Sequence, residues 1–171
     1  MECRHLVHTI MDLPILARLP DAARERAAAL LLEISTQVDL EPGEVLIHEG
    51  ALSGATGYVL LDGAVEVTRE GAESVGLDAP ALLGEMQQFS PFAQRTATVT
   101  AVEHGRALRF TWSELYARAD DVLSGQEVDR LMDGIEACVR ERFHAGALEG
   151  LPLFRGLSPA LNLSASLLLL W

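Results

Sequence analysis

The sequence predicts a mainly β domain, an antiparallel barrel or jelly roll of short strands held between helices. Three observations carry this. From Val38 to Phe110, short β-prone runs recur at close spacing, with Gly at most of the turns between them. Before them, residues 6–38 read as helical. After Phe110 the apolar period becomes helical again.

The elements follow in order. Leu13-Pro14 punctuates the first helical stretch, and Pro20-Asp21 opens a second, with Asp21 as a candidate cap. Leu30, Leu31 and Ile34 then form an apolar stripe suited to packing. From Val38 the period shortens: Val38 and Leu40 alternate with polar residues, and Glu41-Pro42-Gly43-Glu44 is a turn. Val45–Ile47 is a short strand ending at Glu49-Gly50, and Ala51–Gly57 is a loop of small residues. Tyr58–Leu61 and Ala64–Thr68 form a hairpin around Asp62-Gly63. Ser74–Leu77 is a weaker strand, and Ala81–Leu83 leads into Gly84. Thr96–Val102 and Ala107–Phe110 flank the turn Glu103-His104-Gly105. Thr111 is a candidate cap for a short helix, Trp112–Ala119, followed by a break over Asp120–Gly125. Val128, Leu131, Met132, Ile135, Cys138, Val139 and Phe143 then share one face of a long helix over 126–145.

Composition narrows the function. The 171 residues carry 49% apolar side chains, enough for a packed core, and a net charge of −12. With 13 Lys+Arg against 25 Asp+Glu, the chain lacks the basic face that direct nucleic-acid binding requires. All 13 are Arg, so an anion site has to be built from Arg, backbone N–H groups or both. Cys3 and Cys138 stand in no C-x-x-C spacing, which suits a reducing compartment, and the N-terminus does not read as a secretory leader. The apolar run 166–171 is far shorter than the roughly 20 residues of a membrane span. A cytoplasmic location is the expectation.

The segment Leu13–Pro20 resembles Leu151–Ser158, about one domain length further on. Three units are therefore expected: a domain over 1–124, a hinge and linking helix over 125–150, and the truncated or diverged start of a second, similar domain over 151–171. Residues 159–171 show no polar face and are expected to be poorly ordered or to adhere to another chain.

The chemistry concentrates in Gly84–Val99, G-E-M-Q-Q-F-S-P-F-A-Q-R-T-A-T-V. The fork of Arg95 matches two phosphate oxygens. Glu85 is an acceptor suited to a hydroxyl donor. Gly84 lets the backbone approach closely, and Thr96 adds a hydroxyl beside Arg95. Taken alone, a Glu and an Arg more often pair with each other or lie on the surface. No H-x-H cluster, Ser-His-Asp arrangement, P-loop or G-x-G-x-x-G accompanies them, so neither a metal site nor an enzyme is expected.

The pattern G-E-x9-R-T-A-T-V resembles the phosphate-binding cassette of the cyclic nucleotide-binding domain family, which includes the catabolite activator protein and the regulatory subunit of protein kinase A. Glu41–Leu46 followed by Glu49-Gly50, the hairpin Tyr58–Val67, and Leu13–Leu19 are similar to further segments of that family. The resemblance spans roughly residues 13–143. It implies an eight-stranded jelly-roll barrel with N-terminal helices and a C-terminal hinge or lid helix. It implies a 3′,5′-cyclic nucleotide, cAMP or cGMP, as ligand, and no other cofactor. Arg95 would hold the cyclic phosphate and Glu85 the ribose 2′-hydroxyl. Backbone near Gly84, Met86 and Ala97 would complete the pocket, and Thr96 would touch phosphate or base. Leu131, Met132 and Ile135 are candidates for an apolar lid, although packing on the barrel is the commoner fate of such residues. The loop after Glu49-Gly50 departs from the family's usual acidic character. The expected role is a regulatory module that signals to an effector outside this chain, with a homodimer through helix 126–145 as a further expectation. The alternative is a ligand-free scaffold for protein interaction.

Overall fold

The computed structural model describes residues 2–52, 56–71, 73–86 and 94–142. Expectations for the second-domain start 151–171, for the tail 159–171 and for Phe143 lie outside the described residues. Helix α1 (Glu2–Met11), a 3-10 turn (Pro14–Leu16) and α2 (Asp21–Glu33) precede eight strands. These are β1 (Thr36–Leu40), β2 (Val45–Ile47), β3 (Thr56–Asp62), β4 (Ala64–Thr68), β5 (Val75–Asp78), β6 (Ala81–Leu83), β7 (Thr98–Ala101) and β8 (Gly105–Thr111). Helices α3 (Trp112–Val122) and α4 (Gly125–Arg142) follow.

The strands form two four-stranded antiparallel sheets, one ordered β1-β8-β3-β6 and the other β2-β7-β4-β5. Most strands pair with partners distant in sequence, as a jelly roll requires. Among the described residues no ladder joins the two sheets, so the expected barrel is a pair of sheets packed face to face, not a closed ring.

Three layers result: helices, first sheet, second sheet. Leu40, Leu60, Ala81, Leu83 and Ala107 of the first sheet meet Ile47, Val65, Val99 and Ala101 of the second in one apolar cluster. Val59, Leu61, Leu82, Leu108 and Phe110 point the other way, into a cluster with α2, α3, α4 and the 3-10 turn. This explains why β3 reads V-L-L without polar alternation: it is covered on both faces. The second sheet is covered on one face only, so β4 alternates buried Val65 with exposed Glu66.

Helix boundaries differ from expectation in instructive ways. Asp21 is not the cap of α2; Pro20 holds that position, and Asp21 lies in the first turn, where its charge favours the helix dipole. Thr111 does sit at the cap position of α3, but its hydroxyl makes no capping bond. Helix α3 runs on through Asp120 and Asp121 to Val122, because Ala119 is buried and carries the apolar face onward. The break is confined to Leu123 and Ser124.

Helix α4 rests on the 3-10 turn, with Leu131 and Ile135 buried in the helical cluster. Contact is so close at Gly134 that a Cβ there would collide with the carbonyl oxygen of Ile15. Among the described residues, no helix is long and apolar enough to cross a membrane.

The seat of α4 makes a direct prediction. Gly134→Ala should lower stability by about 1–3 kcal/mol, the usual range for overpacking. Gly125→Ala, with nothing within 4 Å of its added carbon, should stay within about 0.5 kcal/mol of the parent. Urea unfolding compares them; equal midpoints would mean that α4 does not approach Ile15 this closely.

Candidate functional site

The site is assembled where β6 ends and β7 begins. Strand β3 pairs with β6 through Tyr58↔Leu83, which delivers Gly84 and Glu85 beside the start of β3. Gly84 has φ +85, the left-handed region that a side chain rarely adopts. A Cβ on it would lie 2.8 Å from Arg95 Nη1, 3.0 Å from the Thr56 carbonyl oxygen and 3.4 Å from Ile47 Cδ1. Glycine is therefore required twice over, by its torsion and by the guanidinium packed against it.

Arg95 is positioned from both ends. Its backbone N–H donates to the Ala51 carbonyl at 3.2 Å, and its carbonyl accepts from Gly50 N–H at 2.8 Å. Leu52 and Gln94 extend this pairing by one antiparallel bridge. At the far end, Nη2 donates to the Thr56 carbonyl at 2.7 Å and Nη1 to the Gly84 carbonyl at 3.4 Å. The loop 49–51 is tied in turn: Glu49 N–H donates to Thr98 Oγ1, and Glu49 Oε2 accepts from Glu70 N–H, each at 3.0 Å.

Glu85 is 0% exposed and Arg95 is 6% exposed; among the described residues they are the two buried charged side chains. Burial pulls the Arg95 guanidinium below its ordinary value, while the Tyr58 phenol and then the Glu85 carboxylate push the other way. The structure thus brings Gly84, Glu85 and Arg95 together. Met86, Thr96 and Ala97 flank them, each half-buried. The middle of the segment, 87–93, lies outside the described residues. Leu131 and Ile135, named as lid candidates, are at 2% and 0% exposure in the helical cluster, and Met132 faces outward at 38%.

Sequence reasoning missed three contributors. Thr56 and Ala51 act through main-chain carbonyls, which leave no signature in side-chain identity. Tyr58 did leave one: a phenol in an otherwise aliphatic strand needs a polar partner, and its hydroxyl donates to the Leu46 carbonyl at 3.3 Å.

Buried carboxylate, buried guanidinium and a glycine that admits close backbone approach put an acceptor for hydroxyls and a donor fork for anions side by side. The family model described as the cyclic nucleotide-binding domain matches residues 37–120, which span all eight strands and most of α3. Residues 37–120 belong to the cyclic nucleotide-binding domain family. Solved structures agree on the fold. The N-terminal domain of a transcriptional regulator from Streptomyces coelicolor aligns at 24% identity and TM-score 0.59, covering 80% of this chain and 96% of that one. The catabolite activator protein of Thermus thermophilus aligns at 20% identity and TM-score 0.58, over 77% of this chain and 59% of its own. The regulatory subunit of a cAMP-independent protein kinase A from Trypanosoma brucei aligns at 16% identity and TM-score 0.59, over 80% of this chain and 45% of its own. No curated protein matches the chain by sequence.

The paired burial of Glu85 and Arg95 predicts how the ligand-free domain responds to mutation. Arg95→Ala strands a buried carboxylate and should cost about 3–5 kcal/mol. Combining Arg95→Met with Glu85→Gln removes both charges and should recover most of that loss. Denaturant unfolding of the three proteins checks the coupling; a double variant as unstable as Arg95→Ala would break the link between the two side chains.

Proposed function

We propose that this chain is a non-enzymatic regulatory module that binds a 3′,5′-cyclic nucleotide, cAMP or cGMP. The observation that carries this reading is the joint burial of Glu85 and Arg95 beside Gly84 in a domain of this family. The carbonyls of Thr56 and Gly84 hold the guanidinium in place, so its fork is preorganised for two oxygens of a cyclic phosphate. Glu85 accepts from the ribose 2′-hydroxyl. Backbone near Gly84, Met86 and Ala97 lines the phosphate, and Thr96 touches phosphate or base.

In this reading 1–124 form the ligand-binding unit, 125–150 the hinge and linking helix, and 151–171 the truncated or diverged start of a second, similar domain. Occupancy is transmitted through α4, by as much as the ligand's affinity differs between two positions of that helix. The receiver is an effector domain or protein beyond this chain. Exposed Met132 lies on the outer face of α4, where a homodimer through helix 126–145 would form. The acidic balance speaks against direct contact with nucleic acid. The location proposed is cytoplasmic, consistent with Cys138 lying buried in the core.

One observation favours a second reading, a scaffold that binds no nucleotide. Glu85 and Arg95 already lie in each other's field, and the guanidinium already donates to two carbonyls. The guanidinium thus has partners within the protein itself.

Thermal unfolding with cAMP and with cGMP separates the two. A nucleotide at ~100 times its dissociation constant should add ~2.7 kcal/mol. Any shift should vanish in Arg95→Ala, measured against that variant's own baseline. No shift at millimolar concentrations of either nucleotide would leave the scaffold reading standing in place of ours.

A further inference from the structure

The hinge between α3 and α4 is held by a residue from neither helix. Helix α3 ends at Val122, Leu123 is extended at φ −118 and ψ 147, and α4 begins at Gly125. Across this break lies Arg26 from the middle of α2. Its Nε donates to the Val122 carbonyl at 2.8 Å, the last residue of α3. Its Nη2 donates to both carboxylate oxygens of Glu127, each at 3.0 Å, in the first turn of α4. Its Nη1 donates back to the Ala22 carbonyl of its own helix at 3.1 Å, which fixes the guanidinium plane. One planar group thus grips the end of α3 and the start of α4 from a third helix.

Glu127 is itself fixed. Its Oε2 accepts from the Ser124 N–H at 2.8 Å and from the Ser124 hydroxyl at 3.0 Å. Ser124-Gly125-Gln126-Glu127 has the spacing of a capping box and forms its carboxylate limb, with the Ser124 hydroxyl turned onto the same carboxylate, so the carboxylate is oriented by the start of α4. The Ser124 N–H, then the Ser124 hydroxyl and Arg26, hold this carboxyl below its usual range against an opposing effect of burial. Leu123, between the two helices, is buried at 5% exposure and prevents the break from swinging freely into solvent.

We infer that Arg26 is a latch: it sets the angle of the α3–α4 hinge and keeps α4 on the 3-10 turn, so that α2 takes part in controlling the helix proposed to report occupancy. The use of the latch in signalling rests on the proposed nucleotide reading; its existence as a latch does not. A charge pair that merely decorates the surface would leave α4 unmoved when broken. The fold supplies a comparison pair, since Arg118 of α3 meets Glu33 of α2 at 2.8 Å, a second ion pair between those two helices.

Hydrogen exchange on the full chain without nucleotide tests this. In Arg26→Ala, amides of residues 128–136 should exchange about tenfold faster or more, while those of β3 and β8 keep their protection. Arg26→Lys retains charge but not the fork, and should fall between. Arg118→Ala should leave 128–136 unchanged. The latch is overturned if Arg26→Ala leaves α4 protection as it was, or if Arg118→Ala speeds α4 exchange equally. No nucleotide enters the measurement, so its failure leaves cyclic nucleotide binding standing, and a failed nucleotide titration leaves the latch standing.

Discussion

The buried pair Glu85 and Arg95 is the constraint on which the rest of the domain depends. A lone buried ion carries a desolvation cost of several kcal/mol. Two opposite charges beside each other, with carbonyls directed at the guanidinium, lower that cost but fix geometry on every side. Thr56 has to present its carbonyl from β3, Gly84 has to lack a side chain, and the loop 49–51 has to anchor the Arg95 backbone. Three segments distant in sequence are thereby held to one point. A jelly roll supplies them, because its topology places strands from different parts of the chain side by side.

The layering determines what can sense that point. Strand β3 runs through the middle of the protein, with Tyr58 and Leu60 toward the second sheet and Val59 and Leu61 toward the helices. Its inner face borders the buried charges and its outer face supports the helical cluster that includes Leu131 and Ile135 of α4. Close packing resists gradual deformation, so any rearrangement of the helical layer proceeds by discrete shifts. Gly134 against Ile15 and Arg26 across the hinge are two points at which α4 is held to the rest of that layer.

Much of this was legible in the sequence, for physical reasons. Strand positions follow from short β-prone runs and Gly-marked turns, and all eight strands lie where those signals place them, with ends shifted by a residue or two. Glu85 and Arg95 stood out through the resemblance of G-E-x9-R-T-A-T-V to the phosphate-binding cassette; taken alone, such a pair reads as an ordinary ion pair or surface contact. The eight-stranded jelly roll is as the sequence implies, and strand count does not reveal how its edges meet: among the described residues the strands lie in two four-stranded sheets. The α3 end was placed too early because Asp120-Asp121 looks like a break, while burial of Ala119 decides the matter. The capping box at Ser124 and Glu127 carries an explicit S-x-x-E signature and was overlooked beside the stronger apolar period of α4. Contacts made by carbonyls, those of Thr56, Ala51 and Ile15, had no sequence signal at all.

Gly84 has a consequence for how such motifs persist. Its torsion and its contact with Arg95 are part of how the fold packs, and so is the burial of Glu85. Selection for a folded protein alone would therefore resist single losses of Gly84, Glu85 or Arg95, even in a descendant that had ceased to bind anything. Loss of binding would then be written first elsewhere, in residues whose replacement leaves folding untouched.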